Sequence, residues 1–515
     1  MASIRNANPA TTPGTRTASL SEKSSDFDRK EDLSLSSDSD NTYDPDAGAS
    51  DEERAAIDAA LLKRLDWKLI PWLCVLYLAS FLDRANIGNA KIEGLEADIN
   101  ITGTQYNIAL SVFFISYSIF EPLSNILLKR MRPSIYIPLI VIAWGICTVL
   151  LGIVKNFSHL CAIRWFLGMA EAGLFPGVNY YLSCWYKRSE FGIRAAIFFS
   201  AAAISGSFGG LLAAAIAKMK GVGGLPGWAW IFILEGIATV LLGIASFWLV
   251  HDFPAECTFL ADDDKVRVLR RLKEDKQASA GTEEFQMKYL YQSLTDWKTY
   301  TACLMYMGVD GALYAFAIFL PTIIKELGFT ATKAQLLSVP PYVLACLITI
   351  ATGFYADRLK QRGIFNLLLP LFSIVGFTLL LVQSKPAVSY FATYLCALGI
   401  YPCISNTISW VSNNVEGVYK RGVTIGVFIG WGNLNGVMSS NVYRKADAPH
   451  YRLGHGVVLG YLVVGLWGGS AINWLLLKRE NRLRAEGKRD HLVEGMNEEE
   501  KLGLGDVRPD FRYML

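Results

Sequence analysis

Residues 251–277 read HDFPAECTFLADDDKVRVLRRLKEDKQ, a polar stretch whose acidic start and basic amphipathic continuation mark a linker carrying a surface helix. Long apolar runs lie on both sides of it. Six precede it, at 68–88, 105–128, 134–153, 159–182, 195–217 and 229–250, and six follow, at 299–320, 336–356, 364–382, 388–410, 422–441 and 456–477. A bilayer core of about 30 Å takes roughly 20 helical residues to cross, so each run is read as a membrane helix. The sequence therefore predicts an all-α membrane protein of twelve transmembrane helices in two six-helix halves. The expected divisions are a disordered tail at 1–60, a first half at 61–252, a linker at 253–298, a second half at 299–478 and a second tail at 479–515.

Composition points the same way. Of 515 residues 52% are hydrophobic and 18% charged, with mean hydropathy +0.29, against about 25% charged in soluble domains. An ordinary soluble enzyme is excluded. The net charge of +3, from 49 Lys and Arg against 46 Asp and Glu, gives no basic field for a nucleic-acid partner. The nine cysteines fall mostly inside apolar runs, without metal-ligand spacing, and read as small packing residues. No GxxxxGK[ST] phosphate loop is present, so nucleotide hydrolysis is not expected, nor is a cofactor or a metal.

The first fifty or so residues are rich in Ser, Thr, Asp, Glu and Pro and lack the apolar content to fold alone. They do not read as a cleaved signal peptide. Serines near Ser34 to Ser39 are candidates for phosphorylation, an inert tail being the alternative. Positive residues in short loops collect on one side: Lys129, Arg130 and Arg132, then Lys187 and Arg188, then Arg358, Lys360 and Arg362, then Lys420 and Arg421, and Lys478 onward. That side is expected to be cytoplasmic and to hold both termini, in the plasma membrane. The sequons at Asn100 and Asn156 then fall outside, where they are glycosylation candidates.

After the eighth run stands GFYADRLKQRG, Gly353 to Gly363, a tight turn with Asp357 ahead of Arg358 and further cations. It closely resembles the loop motif of the major facilitator superfamily. The equivalent loop after the second run, SNILLKRMRPS, keeps the basic cluster and lacks the acid. SFLDRANIGNA (80–90), EPLSNILLKR (121–130), RWFLGMAEAGLFPGVNYYLSCWY (164–186) and WIFILEG (230–236) together resemble the fungal anion:cation symporters, the allantoate permease-like branch. WVSNNVEGVYKRGVTIGVFIGWGNLNG (410–436) is similar to that of nicotinate-type transporters. The resemblance implies the major facilitator fold, two pseudo-symmetric six-helix halves that rock about a central cavity.

Ionisable groups deep in a span are costly and usually face a cavity or a partner, which makes Asp83, Arg84, Arg164 and Glu171 the first functional candidates. At about 1.5 Å per residue, Asp83 and Arg84 reach a depth similar to that of Arg164 on the antiparallel fourth run. Glu171 lies seven residues beyond Arg164, on the same helix face, and Gly168 between them permits close helix approach. Asp83 is expected to pair with Arg164, leaving Arg84 to bind a substrate carboxylate through its planar fork and Glu171 to carry a proton. The resemblance implies the same roles. A static charge network joining the first and fourth runs is the alternative. Tyr314, Tyr401, Asn406, Asn433 and Asn435, with Ser439, form an expected second-half wall of the site, each open to the reading of ordinary packing. Asp310, Glu121 and Glu235 are given lesser or structural roles.

The function read from the sequence is proton-coupled uptake of a small organic anion, such as nicotinate or a related monocarboxylate, by a monomer in the lipid bilayer. Efflux of a secondary metabolite is the alternative within transport. A non-transporting nutrient receptor is the alternative outside it.

Overall fold

The computed structural model describes residues 44–46, 48–274, 287–382, 385–497, 501 and 504–515. Ser34 to Ser39 and the linker residues 275–286 lie outside the described residues. Helix starts follow local chemistry. Ser50 and Glu53 form a capping box, each side chain accepting from the other's backbone N–H, so the first helix begins at Asp51, ahead of the apolar run. Thr102 and Gln105 repeat the device at the second helix.

The first half consists of α1 (Asp51–Ile92), α2 (Gly103–Arg130), α3 (Pro133–Leu151), α4 (Phe157–Glu171), α5 (Leu174–Ser183), α6 (Arg188–Ile216) and α7 (Gly227–Leu249). The linker carries α8 (Asp262–Glu274) and α9 (Met287–Thr295). The second half consists of α10 (Trp297–Glu326), α11 (Ala331–Leu359), α12 (Gly363–Val382), α13 (Pro386–Asn413), α14 (Val418–Val442), α15 (Arg452–Gly460), a π-helical turn at Tyr461–Gly468 and α16 (Gly469–Ala485). Among the described residues ten helices are long and apolar enough to cross a bilayer. The two remaining expected runs are helical as well. The fourth is broken into α4 and α5, because Pro176 has no N–H to offer the Ala172 carbonyl. The eleventh, α14, is the more polar GWGNLNGVMSSN helix.

The two halves repeat one packing plan. In the first half α1 lies on α6, α2 on α4, and α3 on α4 and α7. In the second half α10 lies on α14, α11 on α13, and α12 on α13 and on the last helices. The seam is symmetric too, α6 meeting α11 where α2 meets α14. Close approach at the seam needs Gly353: a Cβ there would stand 2.4 Å from that of Ala196 on α6. The outer faces are apolar and exposed, with Leu241, Trp248, Leu347 and Val464 each more than 60% or close to it in exposure, as a lipid-facing surface requires.

One end of the bundle is tied by charge. The helix expected in the linker is α8, and it docks on the first half: Arg267 and Arg270 hold Asp46, Arg64 reaches Asp264, and buried Arg271 pairs with Glu190 at 2.6 Å. At the same end Lys360 adopts left-handed φ 52° and stops α11. The cation that pairs with Asp357 is Arg362, while Arg358 is exposed. The Arg362 guanidinium lies against Gly192 of α6, and a Cβ on Gly363 would run into Trp474 and Trp410, so the motif bridges the halves through its turn. Residues 504–515 cross the ends of the second-half helices. Asp506 binds Lys298 and Lys420, Tyr513 binds Asn481, and the Leu515 carbonyl accepts from the Arg362 N–H.

Candidate functional site

The centre of the bundle holds a narrow cavity of about 10 Å³, lined from both halves. Its walls follow helical spacing. Tyr77, Phe81 and Arg84 stand on one face of α1, and Tyr306, Asp310, Leu313 and Tyr314 on one face of α10. Tyr117 of α2, Phe175 of α5, Phe199 of α6 and Asn433 of α14 complete it.

Arg84 is the centre of this site. Its guanidinium lies 5.0–5.5 Å from the ring centroids of Phe81, Phe113, Tyr117 and Tyr314. Its Nη2 and Nε donate to Glu171 Oε1 at 2.7 and 3.2 Å, and its Nη1 donates to Tyr314 Oη at 2.6 Å. Tyr314 Oη donates on to Asn433 Oδ1 at 2.9 Å, and Asn433 Nδ2 donates to Glu121 Oε2 at 2.9 Å. Ser80 adds a hydroxyl donor to Glu171. Glu171 is presented at the end of α4, where the chain breaks before α5, and Oε2 has no hydrogen-bond partner among the described residues. Gly168 sets the approach: a Cβ there would meet Ser116 Oγ at 2.1 Å and the Phe113 carbonyl at 2.4 Å.

The expected pairing of Asp83 with Arg164 is not made. Asp83 Oδ2 accepts from Trp144 Nε1 at 3.1 Å and Thr239 Oγ1 at 2.8 Å, inside the first half and away from the cavity. Depth along a helix does not fix rotation. Neighbours on a helix point about 100° apart, so Asp83 faces α3 and α7 while Arg84 faces the cavity. Arg164 is buried over the Phe113 ring at 5.6 Å, and its Nε and Nη2 have no hydrogen-bond partner among the described residues. Nor is Arg84 free, as the sequence reading has it: Glu171 partners it.

The expected second-half wall divides. Tyr314 and Asn433 line the cavity. Tyr401 packs edge-to-face on Tyr342 with centroids 5.7 Å apart, outside the lining. Asn406 belongs to the motif end of the bundle, donating to the Arg362 carbonyl and to Asn366. Asn435 donates to the Trp431 carbonyl and accepts from Tyr461 Oη, and Ser439 donates to the Gly311 carbonyl, so both join helices within the second half. Beyond the expected Tyr314, the wall carries Asp310 and the rings of Tyr77, Phe81, Tyr117 and Tyr306, and Glu121 reaches it through Asn433. Their signal is spacing: Tyr77, Ser80 and Phe81 precede Arg84 by seven, four and three residues, and Tyr306 and Tyr314 flank Asp310 by four on either side.

Two helical halves around a charged central cavity, built on helices long and apolar enough to cross a bilayer, define a polytopic membrane protein. Residues 73–440 match the profile of the Major Facilitator Superfamily, and the chain belongs to that superfamily. Among curated relatives, it is 35% identical over 457 residues to an uncharacterized transporter, C1002.16c, of Schizosaccharomyces pombe, spanning 88% of this chain and 90% of that one. It is 34% identical to the MFS-type transporter cnsO of Penicillium expansum, over 88% and 90% of the two chains. The high-affinity nicotinic acid transporter of Saccharomyces cerevisiae is 32% identical over 89% of this chain and 85% of that one. Solved structures share the fold: an inward-facing bacterial homologue of the lysosomal transporter Spinster (TM-score 0.59, 15% identity, 84% of this chain and 99% of that one) and the proton:xylose symporter XylE (TM-score 0.56, 14% identity, 78% and 95%). The protein is thus a transporter of small molecules set in a lipid bilayer, and not an enzyme.

Proposed function

We propose that this carrier takes up a small organic anion, a monocarboxylate of the nicotinate type, together with protons. The observation that carries the reading is the buried Arg84–Glu171 pair, whose Arg84 lines the central cavity. A guanidinium offers a carboxylate two parallel hydrogen bonds, and here the Nε and Nη2 edge of Arg84 donates both to Glu171 Oε1. Protonation of Glu171 frees Arg84, and the incoming carboxylate replaces it, so the number of buried charges stays the same and the cost of carrying an anion through low dielectric falls. The rings of Tyr77, Phe81, Tyr117 and Tyr306 give a flat heteroaromatic acid surfaces to stack on, and Tyr314 and Asn433 read its polar edge. The likeness to a nicotinic acid transporter supports the same cargo class.

Asp83 and Arg164 serve as the fixed part of the charge network, and Gly353, Asp357, Arg358 and Gly363 as the loop that remakes its contacts as the halves 61–252 and 299–478 rock about the linker. In this reading the carrier works as a monomer in the plasma membrane with both termini in the cytoplasm and the sequons outside, an orientation that the positive loop charge supports. The test is uptake of labelled nicotinate into proteoliposomes, with and without an inward proton gradient, in competition with a panel of unlabelled acids. Accumulation that follows the gradient and is blocked by carboxylates is expected. Failure of every carboxylate to compete removes the anion reading.

A further inference from the structure

Two further buried acids, of which Asp310 lines the cavity, have no part in holding the carboxylate. Glu121 of α2 is fully buried, with Oε2 held by Asn433 of the opposite half and Oε1 without a hydrogen-bond partner among the described residues. Asp310 of α10 is 2% exposed, lines the cavity, and has Oδ2 unpartnered in the same sense. The two acids approach α14 on different faces: a Cβ on Gly430 would lie 3.7 Å from Glu121 Oε2, and one on Gly432, about 200° further round the helix, would lie 3.3 Å from Asp310 Oδ2.

The charged and titratable groups facing them are few. Around Asp310 stand Arg84 and Tyr77 of α1, Tyr306 and Tyr314 of its own helix, and Glu121. Around Glu121 stand Arg84, Tyr117, Tyr306 and Asp310. Neither acid forms an ion pair among the described residues, and the Arg84 guanidinium is already matched by Glu171. Two further carboxylates would leave net negative charge buried without a counter-ion, a state that costs several kcal/mol per ion, whereas a bound proton removes it.

We infer that Glu121 and Asp310, one from each half and set on two faces of α14, together supply a second proton-binding site distinct from Glu171. Its role in coupling rests on the transport reading; its existence does not. A directional hydrogen-bond chain joins it to the anchor: Arg84 Nη1 donates to Tyr314, Tyr314 to Asn433, and Asn433 to Glu121, while the other edge of Arg84 donates to Glu171. The chain crosses the seam between α2 and α14, so opening the halves there separates Glu121 from Asn433. Protons at the two ends thereby sense each other through one guanidinium, one phenol and one amide. A carrier with both sites moves more than one proton for each anion.

Infrared difference spectroscopy of the full chain in liposomes, acid minus alkaline buffer, tests the site without any cargo. The wild type is expected to show carboxyl protonation signals, of which Asp310→Asn abolishes one, Glu121→Gln abolishes another, and Glu171→Gln abolishes neither. Asp310→Asn suffices if Glu121→Gln fails to fold, because Asp310 Oδ2 has no hydrogen bond to lose. Unchanged spectra in Asp310→Asn overturn the proposal, as does a signal that follows Na⁺ at constant pH. Titrating signals in a protein that takes up no carboxylate leave this site standing and remove the transport reading. Proton-driven uptake without these signals does the reverse.

Discussion

Arg84 and Glu171 meet across the break between α4 and α5, Nη2 to Oε1 at 2.7 Å, with a second bond from Nε, in a pocket from which water is nearly excluded. Breaking a buried pair from one side leaves an uncompensated charge and costs about 3–5 kcal/mol. Arg84→Ala is therefore expected to lower both the melting temperature and anion uptake. Arg84→Lys keeps the charge but loses the planar fork, and it is expected to bind anions at least about tenfold more weakly in protein of normal abundance. An unchanged apparent affinity for anions in Arg84→Lys removes the fork from the mechanism.

The contrast between Asp83 and Arg84 marks how far sequence reaches in this chain. Apolar runs of bilayer length and their arrangement about residues 251–277 made the helices and the two halves legible, because hydrophobic thickness acts on length and composition alone. Burial was legible as well: Asp83, Arg84, Arg164 and Glu171, ionisable groups inside apolar runs, are all buried. Rotation was not: whether a polar residue faces the cavity, a neighbouring helix or the loop end depends on packing between distant segments, and Asn406 and Tyr401 go astray for that reason. The partner of Asp357 follows the same rule. Arg358 is adjacent in sequence, but the turn at Lys360 carries Arg362 to it.

Tyr314 links the anchor to the second half, accepting from Arg84 at 2.6 Å and donating to Asn433 at 2.9 Å. Tyr314→Phe keeps the ring that packs on Phe114 and removes only the hydroxyl. A hydrogen bond to a charged group contributes about 1.5–3 kcal/mol, and about 1.4 kcal/mol is tenfold in affinity. The variant is expected to fold normally and to bind its anion roughly tenfold or more weakly in a competition assay. Wild-type affinity in Tyr314→Phe would show that the chain from Arg84 to Asn433 carries no binding energy.

Gly168 tests the packing that presents Glu171. A methyl group there points at the Phe113 carbonyl, 2.4 Å away, and a backbone atom cannot turn aside. Overpacking of this kind costs typically about 1–3 kcal/mol. Gly168→Ala is expected to lower the melting temperature, and Ser116→Gly in the same chain to restore only part of it, since the carbonyl clash remains. Full recovery in the double variant would place the close contact at the Ser116 hydroxyl alone.

The motif end of the second half is held by an alternation of charges, Asp296 and Asp506 each touching both Lys298 and Lys420 at 2.7–2.9 Å. Burial by itself would raise the Asp296 carboxyl, but the two ammonium groups outweigh it and hold it below its usual value of 3.8. A depressed carboxyl stabilises the fold above its unfolded value and ceases to do so as pH falls through the folded one. The thermal stability of the purified protein is therefore expected to lose this contribution only in acid, below about pH 4. Asp296→Asn is expected to cost about 3–5 kcal/mol at neutral pH, because Lys298 and Lys420 are left to share Asp506, and to fall less steeply than the wild type across the acid range. Parallel melting curves for variant and wild type from neutral to acid pH would show that this cluster does not hold residues 504–515 against the helix ends.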